Sequence, residues 1–217
     1  MTQSRPMTQR STDTVTGADR LPAPVAGLDV LSRSLQDVDA VAHSVVRLLH
    51  GLGAIDVLVA SHVVQSGDEP HQVVTVSADD LTADEVEDAL QVVGARFDVA
   101  AVLGADSYDG PPELRSALDD AVARHRDRSG GRVVVFPGDH LLLGTVSVAD
   151  ATLWSDIDRV EQVTGEAVVP RTPLVTRDFL RPRWQGGELV LHVQPAAGGT
   201  VVPFETPSPT PCCADHA

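Results

Sequence analysis

Apolar positions along this chain change period several times, and each change marks an element. Val38, Val41, Ala42, Val45, Leu48, Leu49 and Leu52 recur at helical spacing from Asp37, and Gly51 and Gly53 follow as a stop. Residues 55–60 and 72–76 are short β-branched runs and predict strands, with a turn over 65–70. Thr82 followed by Glu85 predicts a capping box, with Leu81 and Val86 placed as a hydrophobic staple. Val86, Ala89, Leu90 and Val93 then form one helical stripe that Gly94 is expected to end.

The most regular stretch is 97–140. It predicts a strand over 97–103, a polar loop over 104–110, an amphipathic helix over 111–128 and a second strand over 132–136. Pro111 and Pro112 suit the first helical turn, where a missing N–H costs nothing, and Arg124, Arg126 and Arg128 suit the last. Beyond it, 141–148 reads as a strand or buried turn. Asp150 is placed to cap a helix carrying Leu153, Trp154, Ile157 and Val160, which Gly165 would stop. A short strand over 167–169 follows. Residues 188–193 and 200–204 read as a β-hairpin turning at Gly198-Gly199.

Strands alternating with helices predict an α/β fold: three layers, a mostly parallel sheet and a C-terminal β-hairpin. Residues 1–21 are polar and aperiodic and are expected to be disordered. Residues 22–205 would form a single α/β domain, entered in extended form through Pro22 and Pro24, and 206–217 a flexible tail containing cysteine and histidine.

Composition narrows the chemistry. Of 217 residues, 42% are hydrophobic and 22% charged, as in globular proteins, but only 3% are aromatic, so Val, Leu and Ala must fill the core. The formal charge of −15 argues against nucleic acid as a partner. All 16 basic residues are arginine, which excludes a Schiff-base or phosphate-loop lysine. No apolar run approaches the ~20 residues of a membrane span, and no signal core is apparent, so a cytoplasmic location and no membrane partner are expected. Homodimerisation is compatible with all of this.

In a parallel sheet, ligands gather beyond the C-terminal strand ends. That rule points to 61–62, 104–110 and 137–140. Asp106 and Asp109 follow one strand and Asp139 another. If the strands are neighbours, these carboxylates converge and suit Mg²⁺ with a phosphate; each can equally serve only its own turn or helix cap. His62 and His140 are candidate acid–base groups, or ordinary loop histidines. Arg171, Arg177, Arg181 and Arg183, with Trp184 beside them, form a local basic cluster that can meet a phosphate or pair with the acidic surface. Cys212, Cys213 and His216 offer soft ligands for Zn or Cu, without the spacing of a closed site.

Several segments resemble the sugar- and polyol-phosphate nucleotidyltransferases, in particular the methylerythritol-phosphate cytidylyltransferases. These are residues 21–27 and 30–35; residues 98–103, then Ala105-Asp106, then 111–114; and Thr172-Pro173 followed by 177–180. The resemblance implies a nucleotide or phosphorylated small molecule as ligand and places Asp106 beside a Mg²⁺ ion; no other residue carries over from it. Asp106, Asp109, Asp139, His140 and Arg177 are the expected ligand-binding residues. The Gly-rich nucleotide loop and lysines of that pattern have no counterpart here. The expectation is therefore a divergent, nucleotidyltransferase-like binding domain with no assignable catalytic residue. A non-enzymatic interaction or regulatory module, and a metal-binding protein using its Cys-Cys-x-x-His tail, are the alternatives.

Overall fold

A hairpin lies at the centre. In the computed structural model, which describes residues 23–66 and 69–207, strands β2 (Val57–Ser66) and β3 (Glu69–Ala78) pair antiparallel along their whole length. Strand β1 (Val25–Ser32) lies antiparallel on the other side of β3. Helix α1 (Leu35–Gly51) joins β1 to β2, and helix α2 (Ala83–Phe97) joins β3 to the short β4 (Ala101–Leu103), which pairs antiparallel with β1. The order β1-α1-β2-β3-α2-β4, with strands arranged 4-1-3-2, is a split βαβ arrangement.

This corrects the expected mostly parallel three-layer sandwich. Among the described residues the structure is a mixed α/β fold with a 12-stranded, mostly antiparallel sheet and four α-helices. The strands joined by α1 do run in the same direction, but β3 sits between them; β1 likewise separates β3 from β4. The inserted strand is what the alternating pattern concealed. Residues 25–32, for which the apolar pattern predicts no element, form β1.

The sheet continues through β5 (Tyr108–Asp109) at the β4 edge and, beyond β2, through β6 (Arg132–Val135), β10 (Arg183–Gln185), β11 (Glu188–Ala196), β12 (Thr200–Pro203), β9 (Pro173–Val175) and β7 (Thr145–Ser147). Strand β8 (Arg159–Gln162) pairs with β11. Among the described residues the parallel pairings are β8 with β11 and β9 with β12. The expected C-terminal hairpin is present as β11 and β12.

Alternation along the strands decides the packing. Ala26, Leu28, Val59, Val74 and Val76 face one side, where the apolar stripes of α1 and α2 cover them. Val25, Val64 and Val73 face the other, beneath Leu114, Leu118 and Val122 of helix α3 (Pro112–Arg126). A third cluster, built on Phe136, Leu142, Ile157, Trp184, Leu189 and Leu191, supports the β-rich C-terminal part.

Local signals explain the helix ends. The Thr82–Glu85 capping box forms, with Glu85 N donating to Thr82 Oγ1 and Thr82 N to Glu85 Oε2. Gly94 does not end α2. It packs against Val99 and Val102, and the helix runs to Phe97 before Asp98 turns it off in the left-handed region. Helix α4 (Val148–Trp154) is capped by Ser147 rather than Asp150, and Val160 belongs to β8.

Candidate functional site

The strand order separates the carboxylates expected to converge. Strands β4 and β6 have β1, β3 and β2 between them, a distance of ~19 Å at the usual strand spacing. Asp106 is exposed in the loop after β4, and Asp109 lines a small cavity beside α2. Asp139 and His140 line a different cavity. His62 does not end a strand. It sits within β2, buried, with Nε2 bonded to Thr75 Oγ1 at 3.0 Å. Arg177 is exposed and, like Asp178, has a positive φ. Cys212, Cys213 and His216 lie outside the described residues, as does the 1–21 segment. Among the described residues, no group of three His, Cys, Asp or Glu side chains is disposed to hold a metal ion, and no helix is long and apolar enough to cross a membrane.

What the fold does assemble is a cleft of about 960 Å³, between the first turn of α1, the end of β12 and the segment 179–183. That volume lies in the range of small-molecule sites. Leu35, Val163, Phe179 and Phe204 supply apolar walls. Four charged side chains form the floor. Arg132 grips Asp39 bidentately, from Nη1 to Oδ1 at 2.6 Å and Nη2 to Oδ2 at 3.2 Å, and its Nε donates to Glu205 Oε1 at 2.5 Å. Arg181 donates to Asp39 Oδ2 from Nη2 at 2.8 Å and from Nε at 3.2 Å. Its remaining nitrogen donates to the Leu180 carbonyl at 2.8 Å, and its guanidinium lies 4.0 Å from the centre of the Phe179 ring.

Burial and charge act in opposition here. Burial pushes the Asp39 carboxyl up, but hydrogen bonds and charge from Arg132 and Arg181 outweigh it and hold the group below its ordinary value. Burial works against both arginines. Arg132 bonds two carboxylates and ends above its ordinary value; Arg181, for which burial is the largest cause, bonds only Asp39, feels Arg132 against it and Glu205 more weakly for it, and ends below.

A third guanidinium stands at the rim. Arg183 is 55% exposed, with Nη2 at 3.6 Å from Glu205 Oε2. Three guanidiniums therefore face two carboxylates across this cleft. One positive charge is left over, and it is the one that solvent reaches. Ser34 and Leu35, at the amino end of the 17-residue α1, line the same cleft and bring the positive end of the helix dipole to it. In a chain of charge −15 this is a local inversion. His192 also lines the cleft, its Nε2 at 3.2 Å from the buried Glu161.

Of the cleft's polar groups, Arg181 and Arg183 stood out in the sequence as a basic cluster. Asp39, Arg132 and Glu205 did not, because their partners are 73 to 142 residues away. The one available signal was Arg132 itself, a charge opening the buried run of β6. Comparison with protein-family models, curated proteins and solved structures gives no match for this chain.

Proposed function

We propose that this protein binds a small organic anion with an apolar body in the Arg132–Arg181–Arg183 cleft. The nucleotide or phosphorylated small molecule expected from the sequence belongs to this class. The observation that carries the reading is the excess of one guanidinium over the carboxylates that line an apolar cleft large enough for such a ligand. Arg132 and Arg181 are held by Asp39 and act as a rigid floor. Arg183, half-exposed and sharing Glu205 with Arg132, can exchange that 3.6 Å contact for a phosphate or carboxylate and meet it with two parallel N–H donors.

Thermal-shift titrations with CTP, GTP and UTP, each with and without Mg²⁺, and with aryl and alkyl carboxylates test this. A ligand that binds the folded state raises the melting temperature as its concentration rises. Arg183→Gln should weaken such binding about tenfold, the loss of one charge-assisted hydrogen bond. No shift with any of these anions at millimolar concentration overturns the proposal.

A further inference from the structure

A second cavity, of about 270 Å³, meets the cleft across Phe179 and Arg181, which line both. Its character is opposite. Asp139 and Asp178 line it, together with His43 and His140. Its one guanidinium, Arg181, is already spent on Asp39 at 2.8 Å. The pocket therefore carries an excess of negative charge on one side of Phe179, where the cleft carries an excess of positive charge on the other.

Asp139 is the group with most to gain from a cation. Gly138, in the left-handed region with φ +82°, seats it tightly. A Cβ at Gly138 would lie 2.1 Å from the Trp154 carbonyl oxygen, so the loop has little room to shift. Burial pushes the Asp139 carboxyl up, against backbone N–H groups and the nearby His140 and His43. His140 Nδ1 stays 3.9 Å away and its side chain is 75% exposed, so it is a poor counter-ion. His43 is itself held below its ordinary value by burial and by Arg181, both of which disfavour its charged form. The carboxylate thus lacks a permanent positive partner of its own. A ligand ammonium group would supply one.

We infer that the two cavities are halves of one site for a dipolar ligand. Its anionic group meets Arg183, its apolar middle lies over the half-buried Phe179 ring, and its ammonium group enters the small pocket at Asp139. This rests on the anion-binding reading of the cleft. It adds that an amine-bearing anion is preferred over the anion alone.

The test uses the full chain and matched probes of graded length: 6-aminohexanoate, 8-aminooctanoate and 12-aminododecanoate. Each is compared by calorimetry with its unsubstituted carboxylate and with the corresponding alkylamine. At one length the amino acid should bind at least tenfold more tightly than the carboxylate. Asp139→Asn should remove that increment while leaving carboxylate binding in place, and Arg183→Gln should remove the carboxylate contribution. If carboxylates bind through Arg183 but the amine adds nothing at any length, the dipolar inference is overturned and the cleft reading stands. If no carboxylate or amino acid binds at any length, the dipolar inference is overturned, and the cleft reading falls with it when the nucleotides and aryl carboxylates also give no thermal shift. The wild-type length series decides the matter even if a variant fails to fold.

Discussion

Lowering the pH from 7.5 to 5.0 should remove about 4 kcal/mol of stability through two histidines alone. His62 on β2 and His125 on α3 meet at Thr75 on β3: His62 Nε2 lies 3.0 Å and His125 Nδ1 2.8 Å from Thr75 Oγ1, and His125 Nε2 lies 3.0 Å from Ser77 Oγ. Trp184 closes the group, its ring centre 4.9 Å from that of His125. Gly131 lies so close to His62 that a Cβ there would fall 2.6 Å from its Cε1. Neither imidazole has a carboxylate among its hydrogen-bond partners. Burial, with Arg124 adding to it, pushes His62 down to about 4; burial, with His62, Arg128 and Arg126 adding to it, pushes His125 down to about 3.

An unfolded chain takes up these protons near pH 6.5, whereas the folded chain refuses them. The stabilising contribution is thus fully present above about pH 6.5 and is lost as pH falls toward 4 and then 3. At pH 5.0 each histidine has forfeited about 2 kcal/mol, at ~1.4 kcal/mol per pH unit below its unfolded value. Urea denaturation followed by far-UV circular dichroism at several pH values reads the slope. His62→Gln and His125→Gln should each retain about half of the wild-type pH dependence, whatever their absolute stability. A variant with the full wild-type slope would show that its histidine is not held neutral in the folded chain.

Other consequences are simpler. Arg132→Gln leaves Asp39 and Glu205 short of their main donor and should cost about 3 kcal/mol in chemical denaturation. Gly138→Ala forces a Cβ onto the Trp154 backbone at positive φ and should cost about 2 kcal/mol or more, with loss of whatever binds beside Asp139. Thr82→Ala removes the α2 capping box and should lower stability by about 1 kcal/mol, without altering ligand affinity.

Helix positions were legible in the sequence because each of α1, α2 and α3 buries a single stripe. The C-terminal hairpin was legible because its strands are local and its turn has two glycines with positive φ. Strand order was not. Adjacent runs such as β3 and β4 carry no mark showing that β1, from the start of the domain, lies between them. That error moved the candidate site. Asp106 and Asp139 converge only if β4 and β6 are neighbours. His62 looked terminal only because the β2 run, apolar through Ala60, hid the six further residues of the strand. Of the four arginines of the basic cluster, Arg181 and Arg183 line the cleft and Arg171 and Arg177 do not, a placement that does not depend on the order of β4 and β6.

The floor of the cleft is costly in a way that argues for a purpose other than stability. Buried ion pairs seldom improve on apolar packing of the same volume, because desolvation offsets the attraction. Yet here Asp39 and Glu205 are drawn from the two ends of the domain to meet Arg132 and Arg181. The arrangement gives Arg181 a single geometry: its nitrogens are occupied by Asp39 and Leu180, and its flat face rests on Phe179. A guanidinium so constrained cannot swing out to seize an anion. It can hold Phe179 upright as the divider between a positive cleft and a negative pocket. Arg183, two residues on and half-exposed with a single 3.6 Å contact to Glu205, is the less constrained of the two and the one on which the proposed anion binding rests. Within β10 successive side chains point to opposite sides, so Arg183 is exposed while Trp184, the next residue, is buried against His125 of α3 and anchors the segment.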